Sequence, residues 1–130
     1  MTPSQIITQE AQSIGGDADV LLRKIDKLVD SKAAILLQKN DTLLLLIAIA
    51  KGSAELHIFT VDRPAKIIES VKYFVDKIKE SDIQRVYGSG NMAQDARLKK
   101  TLDILDRLGV DVQKSNLPSY QWMATVEGSK

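Results

Sequence analysis

A carboxylate and an imidazole stand two residues apart in this sequence, Glu55 and His57, the second being the chain's single histidine. Both fall in the run Ala54–Val61, whose β-branched and aromatic content predicts a strand, and on a strand residues i and i+2 share a face. A histidine placed so becomes a general base once a nucleophile or bound substrate lies within hydrogen-bond reach. No Ser/His/Asp spacing marks a triad, and one histidine with no cysteine does not build a transition-metal site, so no metal is expected. The same letters also suit a histidine on a wet strand face with no chemistry at all.

Two other stretches carry chemistry-bearing types. In Gly88-Ser89-Gly90-Asn91, glycines follow a predicted strand and open a predicted helix, the arrangement that offers bare backbone N–H groups to a phosphate. Arg97, Lys99 and Lys100 lie just downstream, partly offset by Asp95 and Asp103, and a strand-to-helix turn with a solvated helix face would read the same way. Tyr120 and Trp122 alternate near the C-terminus, on one face if Tyr120–Val126 is a strand. They are candidates for a stacking platform or an interface anchor, with core packing the competing use of Trp122.

The elements that must position these groups are organised around Ala33–Val61, which reads as three antiparallel strands, Ala33–Lys39, Thr42–Ala50 and Ala54–Val61. The middle one shows no apolar/polar alternation, so both its faces must be covered. Asn40-Asp41 and Lys51-Gly52-Ser53 supply the residue types that tolerate positive φ in hairpins. Before them, Pro3 opens a helix over 3–13 that Gly15-Gly16 ends. Asp17 caps a second with Leu21, Leu22, Ile25, Leu28 and Val29 as its buried stripe. After them, Asp62 reads as the N-cap of a helix with Ile67, Val71, Phe74, Val75 and Ile78 inward. A short strand Ile83–Tyr87 follows, then a helix over about 93–108 stopped by Gly109, a strand Val110–Lys114, and the last strand after the breaker Asn116-Leu117-Pro118. Three antiparallel strands followed by β-helix-β crossovers predict an α/β domain: a mixed, largely antiparallel sheet with helices on both faces.

With 130 residues the chain is expected to form a single domain, residues 1–130. Its 18 basic and 17 acidic side chains leave a formal charge of +1, too little for a dedicated nucleic-acid binder. No apolar run approaches the roughly 20 residues of a membrane span, and no leader pattern opens the chain, so a soluble, unprocessed protein without disulfides is expected.

The element order, α-α-β-β-β-α-β-α-β-β, resembles the GNAT-type N-acetyltransferase fold without that family's first strand. Leu102-Asp103-Ile104-Leu105-Asp106-Arg107-Leu108-Gly109-Val110 is similar to the helix end, glycine and strand start of the family's Tyr-x-x-x-Gly-Phe element. The resemblance implies acetyl-CoA as acyl donor, a carboxylate base on the third antiparallel strand, for which Glu55 is the candidate, and a pyrophosphate-binding Arg/Gln-x-x-Gly-x-Gly/Ala loop before the next helix. Arg63 stands at the first position of that loop, but its glycines fall on Lys66 and Ile68, Pro64 has no N–H to donate, and Asp62 repels phosphate. The family's acid tyrosine falls on Leu105. Gly88, Gly90 and Asn91 are the remaining coenzyme candidates.

These departures lead to one expectation and one alternative. The expectation is a non-catalytic GNAT-like structural or assembly protein without cofactor, holding a protein partner or copies of itself through surfaces such as Tyr120 and Trp122. It extends to a small bacteriophage protein, in the host cytoplasm or on the virion. The alternative is an acyl-CoA-dependent N-acetyltransferase in which Glu55 or a water takes the amine proton and backbone N–H groups near Phe59–Val61 polarise the thioester carbonyl.

Overall fold

The computed structural model describes residues 1–13, 15–89 and 96–126, the side chains of 96–98 excepted. In chain order the elements are α1 Pro3–Ser13, α2 Ala18–Asp30, β1 Ala34–Lys39, β2 Thr42–Ala50, β3 Ser53–Thr60, α3 Pro64–Glu80, β4 Arg85–Gly88, α4 Ala96–Arg107, β5 Asp111–Lys114 and β6 Trp122–Thr125. They build one six-stranded sheet in the order β1-β2-β3-β4-β6-β5. Four of its five ladders are antiparallel, and β3 with β4 is the parallel one. Such a pair needs a crossover, and α3 supplies it.

The hairpins form where the turn chemistry put them: Asn40 takes φ 55° between β1 and β2, and Gly52 φ 74° between β2 and β3. Lying between β1 and β3, β2 has no free edge. Leu43 and Leu45 point into a core made with Ile6 and Ile7 of α1 and Ile25 of α2, whereas Leu44 and Leu46 point into a second core with Val71, Phe74, Val75 and Ile78 of α3 and Leu102 of α4. That two-sided burial is why the strand lacks alternation. It holds only over Thr42–Leu46, however. At the bulge over Ala48–Ala50 the strand tail is exposed.

Three other expectations are corrected. Asp62 does not cap α3: Arg63 is the N-cap residue and makes no side-chain cap bond. The Asp62 carboxylate turns back instead, accepting from the Asp41 amide at 2.9 Å and the Thr42 hydroxyl at 2.7 Å. The last strand begins at Trp122, not Tyr120, so the alternation on which a shared Tyr120–Trp122 face depended does not reach Tyr120. Trp122 is 2% exposed in the α3/α4 core, a packing role that excludes the interface role.

Candidate functional site

The parallel pair does not run the length of its strands. β3 and β4 are in register only over Ser53–Glu55 and Arg85–Tyr87, and β3 then continues five residues to Thr60 with no strand partner on that side among the described residues. β4 ends at Gly88, which pairs with Trp122 of β6 instead. The sheet therefore splits above the Glu55–Tyr87 rung. Val61 donates its N–H to the Asp41 carbonyl at 3.2 Å, on the β2 side. Alternation then directs the N–H groups of Thr60 and Ile58 toward the split.

This corrects the expected Phe59–Val61 donors. The Val61 amide is held by Asp41, and the Thr60 amide donates to Glu10 Oε1 of α1 at 2.8 Å. The alternation leaves Ile58 as the strand amide facing the split below them.

On the α1/α2 side of the split sits a polar cluster. Glu55 Oε2 and His57 Nε2 are 2.8 Å apart, with side chains 28% and 41% exposed. The shared strand face inferred from their spacing is therefore what brings the pair together. The Tyr120 phenol lies close enough to the same carboxylate for each to perturb the other. Its ring lies 5.4 Å from that of Tyr87, whose hydroxyl donates to Asn116 Oδ1 at 3.1 Å. The His57 hydrogen bond is the main cause holding the Glu55 carboxyl below its ordinary range, with Tyr120 adding to it and partial burial opposing. Burial, then the neighbouring carboxylate, pushes the Tyr120 phenol up. Sequence reasoning placed Tyr120 at an interface and missed this partnership. The aromatic letters near a breaker were the only signal.

On the opposite side, a hollow of about 550 Å³ lies between the start of α3 and one face of α4, lined by Thr60, Asp62, Pro64, Ile67, Ile68, Lys100, Thr101, Asp103, Ile104 and Arg107. It combines apolar walls with two cations and two carboxylates. The start of α3 offers it few backbone donors. Pro64 has no N–H, and the Lys66 and Ile67 amides both return to the Arg63 carbonyl, at 3.0 and 3.1 Å. Arg63 itself is exposed. Leu105, at the expected acid position, packs half-buried against the α3/α4 core.

Gly88 has a structural duty: a Cβ placed there would fall inside the Trp122 indole. Its glycine character thus serves the contact between β4 and β6. Gly90 and Asn91 lie outside the described residues. Among the described residues Trp122 Nε1 is the buried side-chain donor with no hydrogen-bond partner, and no cluster of three or more metal-ligating side chains is found.

A six-stranded mixed sheet in this order, split at its parallel pair, with helices on both faces, defines the GNAT-type N-acetyltransferase fold. The chain is similar to a chimera of the Vibrio cholerae spermidine N-acetyltransferase SpeG with hSSAT, at 14% identity and TM-score 0.51, over 83% of this chain and 74% of that one. A point variant of the Vibrio cholerae enzyme aligns at 15% identity and TM-score 0.50, over 83% and 72%. The Escherichia coli ribosomal-protein-S18-alanine N-acetyltransferase aligns at 10% identity and TM-score 0.48, over 80% and 78%. No family model and no curated protein matches the sequence.

The expected non-catalytic structural or assembly role is corrected: the solved structures that share this fold at TM-score 0.50 or above are acetyltransferases, which favours the acetyltransferase alternative. Nothing in them bears on a bacteriophage or virion setting. Among the described residues no helix is long and apolar enough to cross a membrane.

Proposed function

We propose that this chain, acting as one domain, is an acyl-CoA-dependent N-acetyltransferase that moves an acetyl group from acetyl-CoA to an amine in a cytoplasm. The observation that carries the proposal is the split between β3 and β4. It leaves the backbone edge of β3 open, with a carboxylate–imidazole–phenol cluster on one side and the hollow against α3 and α4 on the other. An acyl-thioester needs an extended backbone edge to lie along, a donor for its carbonyl oxygen, and an acceptor for the amine proton. Ile58 N–H supplies the donor, and the Glu55–His57 pair supplies the acceptor.

The hollow has the volume for a coenzyme arm, but its grip on phosphate differs from the family's glycine loop. With the Lys66 and Ile67 amides tied back to Arg63, the task falls to side chains: Lys100 and Arg107 on α4. When bound, acetyl-CoA supplies the activated acyl carbon; the protein's own residues orient it and accept the proton.

Calorimetric titration with acetyl-CoA tests the proposal, followed by a thiol-release assay with spermidine and with a short peptide bearing a free α-amine as acceptors. Saturable binding is expected, weakened about tenfold or more in the K100A/R107A double variant, since each lost charge-assisted phosphate contact removes roughly 1–2 kcal/mol. Absence of binding at millimolar acetyl-CoA overturns it.

A further inference from the structure

The Glu55–His57 pair invites the assumption that the carboxylate is the base. We infer the reverse division of labour: His57 takes the proton from the attacking amine at Nδ1, and Glu55 is a positioning residue that fixes the imidazole through Nε2. This rests on the acetyltransferase reading and deepens it.

Place along the strand is the first argument. Glu55 stands on the last rung where β3 and β4 are still paired, opposite Tyr87, whereas His57 stands two residues further on, beside Ile58, where β4 has fallen away. A reacting centre seated in the split adjoins His57 and not the closed rung. The second argument is hydrogen-bond occupancy. Glu55 receives the His57 ring at 2.8 Å, a bond that stabilises the ionised carboxylate and so weakens it as a proton acceptor, and the nearby Tyr120 phenol acts in the same direction. A carboxylate cannot donate, so Nε2 must carry the hydrogen in that contact. Nδ1 is then left with its lone pair.

That nitrogen makes no hydrogen bond among the described residues, and the side chain is 41% exposed. The third argument is the support behind the carboxylate. The Tyr120 phenol neighbours Glu55, its ring rests near Tyr87, and Tyr87 is anchored to Asn116, so the surroundings of the positioning group are set from β4 and the β5–β6 connection.

Among the described residues the titratable group in contact with His57 is Glu55, and the others nearby in the fold are bound to neighbours of that pair. Glu55 lies on its own strand; Tyr87 comes from β4, Tyr120 from the β5–β6 connection, and Glu10 from α1, whose Oε1 is committed to the Thr60 amide. In the transfer, the amine nitrogen gives its proton to Nδ1 and its lone pair forms the N–C bond. The C–S bond breaks, its electron pair leaves on sulfur, and the thiolate is protonated by solvent. The imidazolium then returns its proton to water through its exposed side.

The test uses the full chain, exploiting the single histidine. ¹⁵N NMR of the imidazole in the free protein is expected to show the Nε2–H tautomer with unprotonated Nδ1 at pH 8, lost in E55Q. In the thiol-release assay with acetyl-CoA and spermidine, H57Q is expected to lower kcat about 100-fold and abolish the acidic limb of the pH profile. The KM for acetyl-CoA should stay within about twofold of the wild type, as a purely chemical role requires. Imidazole added to H57A should restore part of the rate, and E55Q should lose less than H57Q while keeping the limb.

An Nδ1–H tautomer, or an H57Q variant that keeps both rate and limb, overturns the assignment while leaving the acetyltransferase reading intact. Failure of the wild type to bind acetyl-CoA by calorimetry overturns both.

Discussion

The carboxylate of Glu55 is held below its ordinary range chiefly by a histidine on its own strand, with a tyrosine far along the chain adding to the effect. This lowering has a stability consequence of definite sign. A carboxyl whose folded-state value is depressed stabilises the fold above its unfolded value and loses that contribution as pH falls through the folded one. The term is therefore complete near neutrality and disappears below about pH 4, given an unfolded glutamate near 4.3. Urea unfolding of wild type and E55Q from pH 3 to 7 is expected to show the wild type's advantage shrinking steadily below about pH 4.5. A difference that grows on acidification would contradict the geometry. At the same scale, Gly88 and Trp122 explain one another: the missing Cβ is the space the indole occupies.

Between elements, the junction of the β1–β2 turn with the start of α3 is held by a directed chain of hydrogen bonds. The buried Thr42 hydroxyl donates to Asp62, so its oxygen accepts from the Thr60 hydroxyl at 2.6 Å, and Thr60 Oγ1 accepts from the Asp62 amide at 3.0 Å. Each hydroxyl gives one hydrogen and takes one, leaving no ambiguity of direction. Asp62→Ala removes the terminal acceptor and strands the Asp41 amide and the Thr42 hydroxyl. A loss of about 1–3 kcal/mol is expected, read as a lowered urea midpoint with unchanged slope. In the local sequence Asp62 precedes Arg63-Pro64 and so reads as the cap of the helix. The competing acceptor site was offered by a turn some twenty residues earlier, and it won because a buried hydroxyl without a partner costs more than an uncapped helix end open to water.

At the scale of the whole molecule, a near-neutral net charge hides a local arrangement that matters for an anionic ligand. Lys100 and Arg107 line the hollow with Asp62 and Asp103 between them, so the field there is mixed and short-ranged. Asp103→Asn is expected to tighten acetyl-CoA binding by about two- to fivefold at roughly 10 mM salt, equivalent to about 0.5–1 kcal/mol for an exposed charge. The gain should vanish near 1 M salt, where screening acts within about 3 Å. Calorimetry at the two salt concentrations distinguishes this from a change in shape, which salt would not erase.

The sequence by itself determined the order of the elements, the two hairpins, the inward stripes of α2 and α3, the two-sided cover over the first half of β2, and the common face of Glu55 and His57. All of these follow from periodicity and turn chemistry acting over a few residues, where the backbone's own geometry decides who neighbours whom. Only the tertiary structure decided that β3 and β4 part above Glu55, that Tyr120 turns to that carboxylate while Trp122 sinks into the α3/α4 core, and that Asp62 looks backward. Those outcomes depend on how far two strands remain in hydrogen-bonding distance and on which distant acceptor is nearest, and such quantities exist only once the sheet has been assembled and twisted.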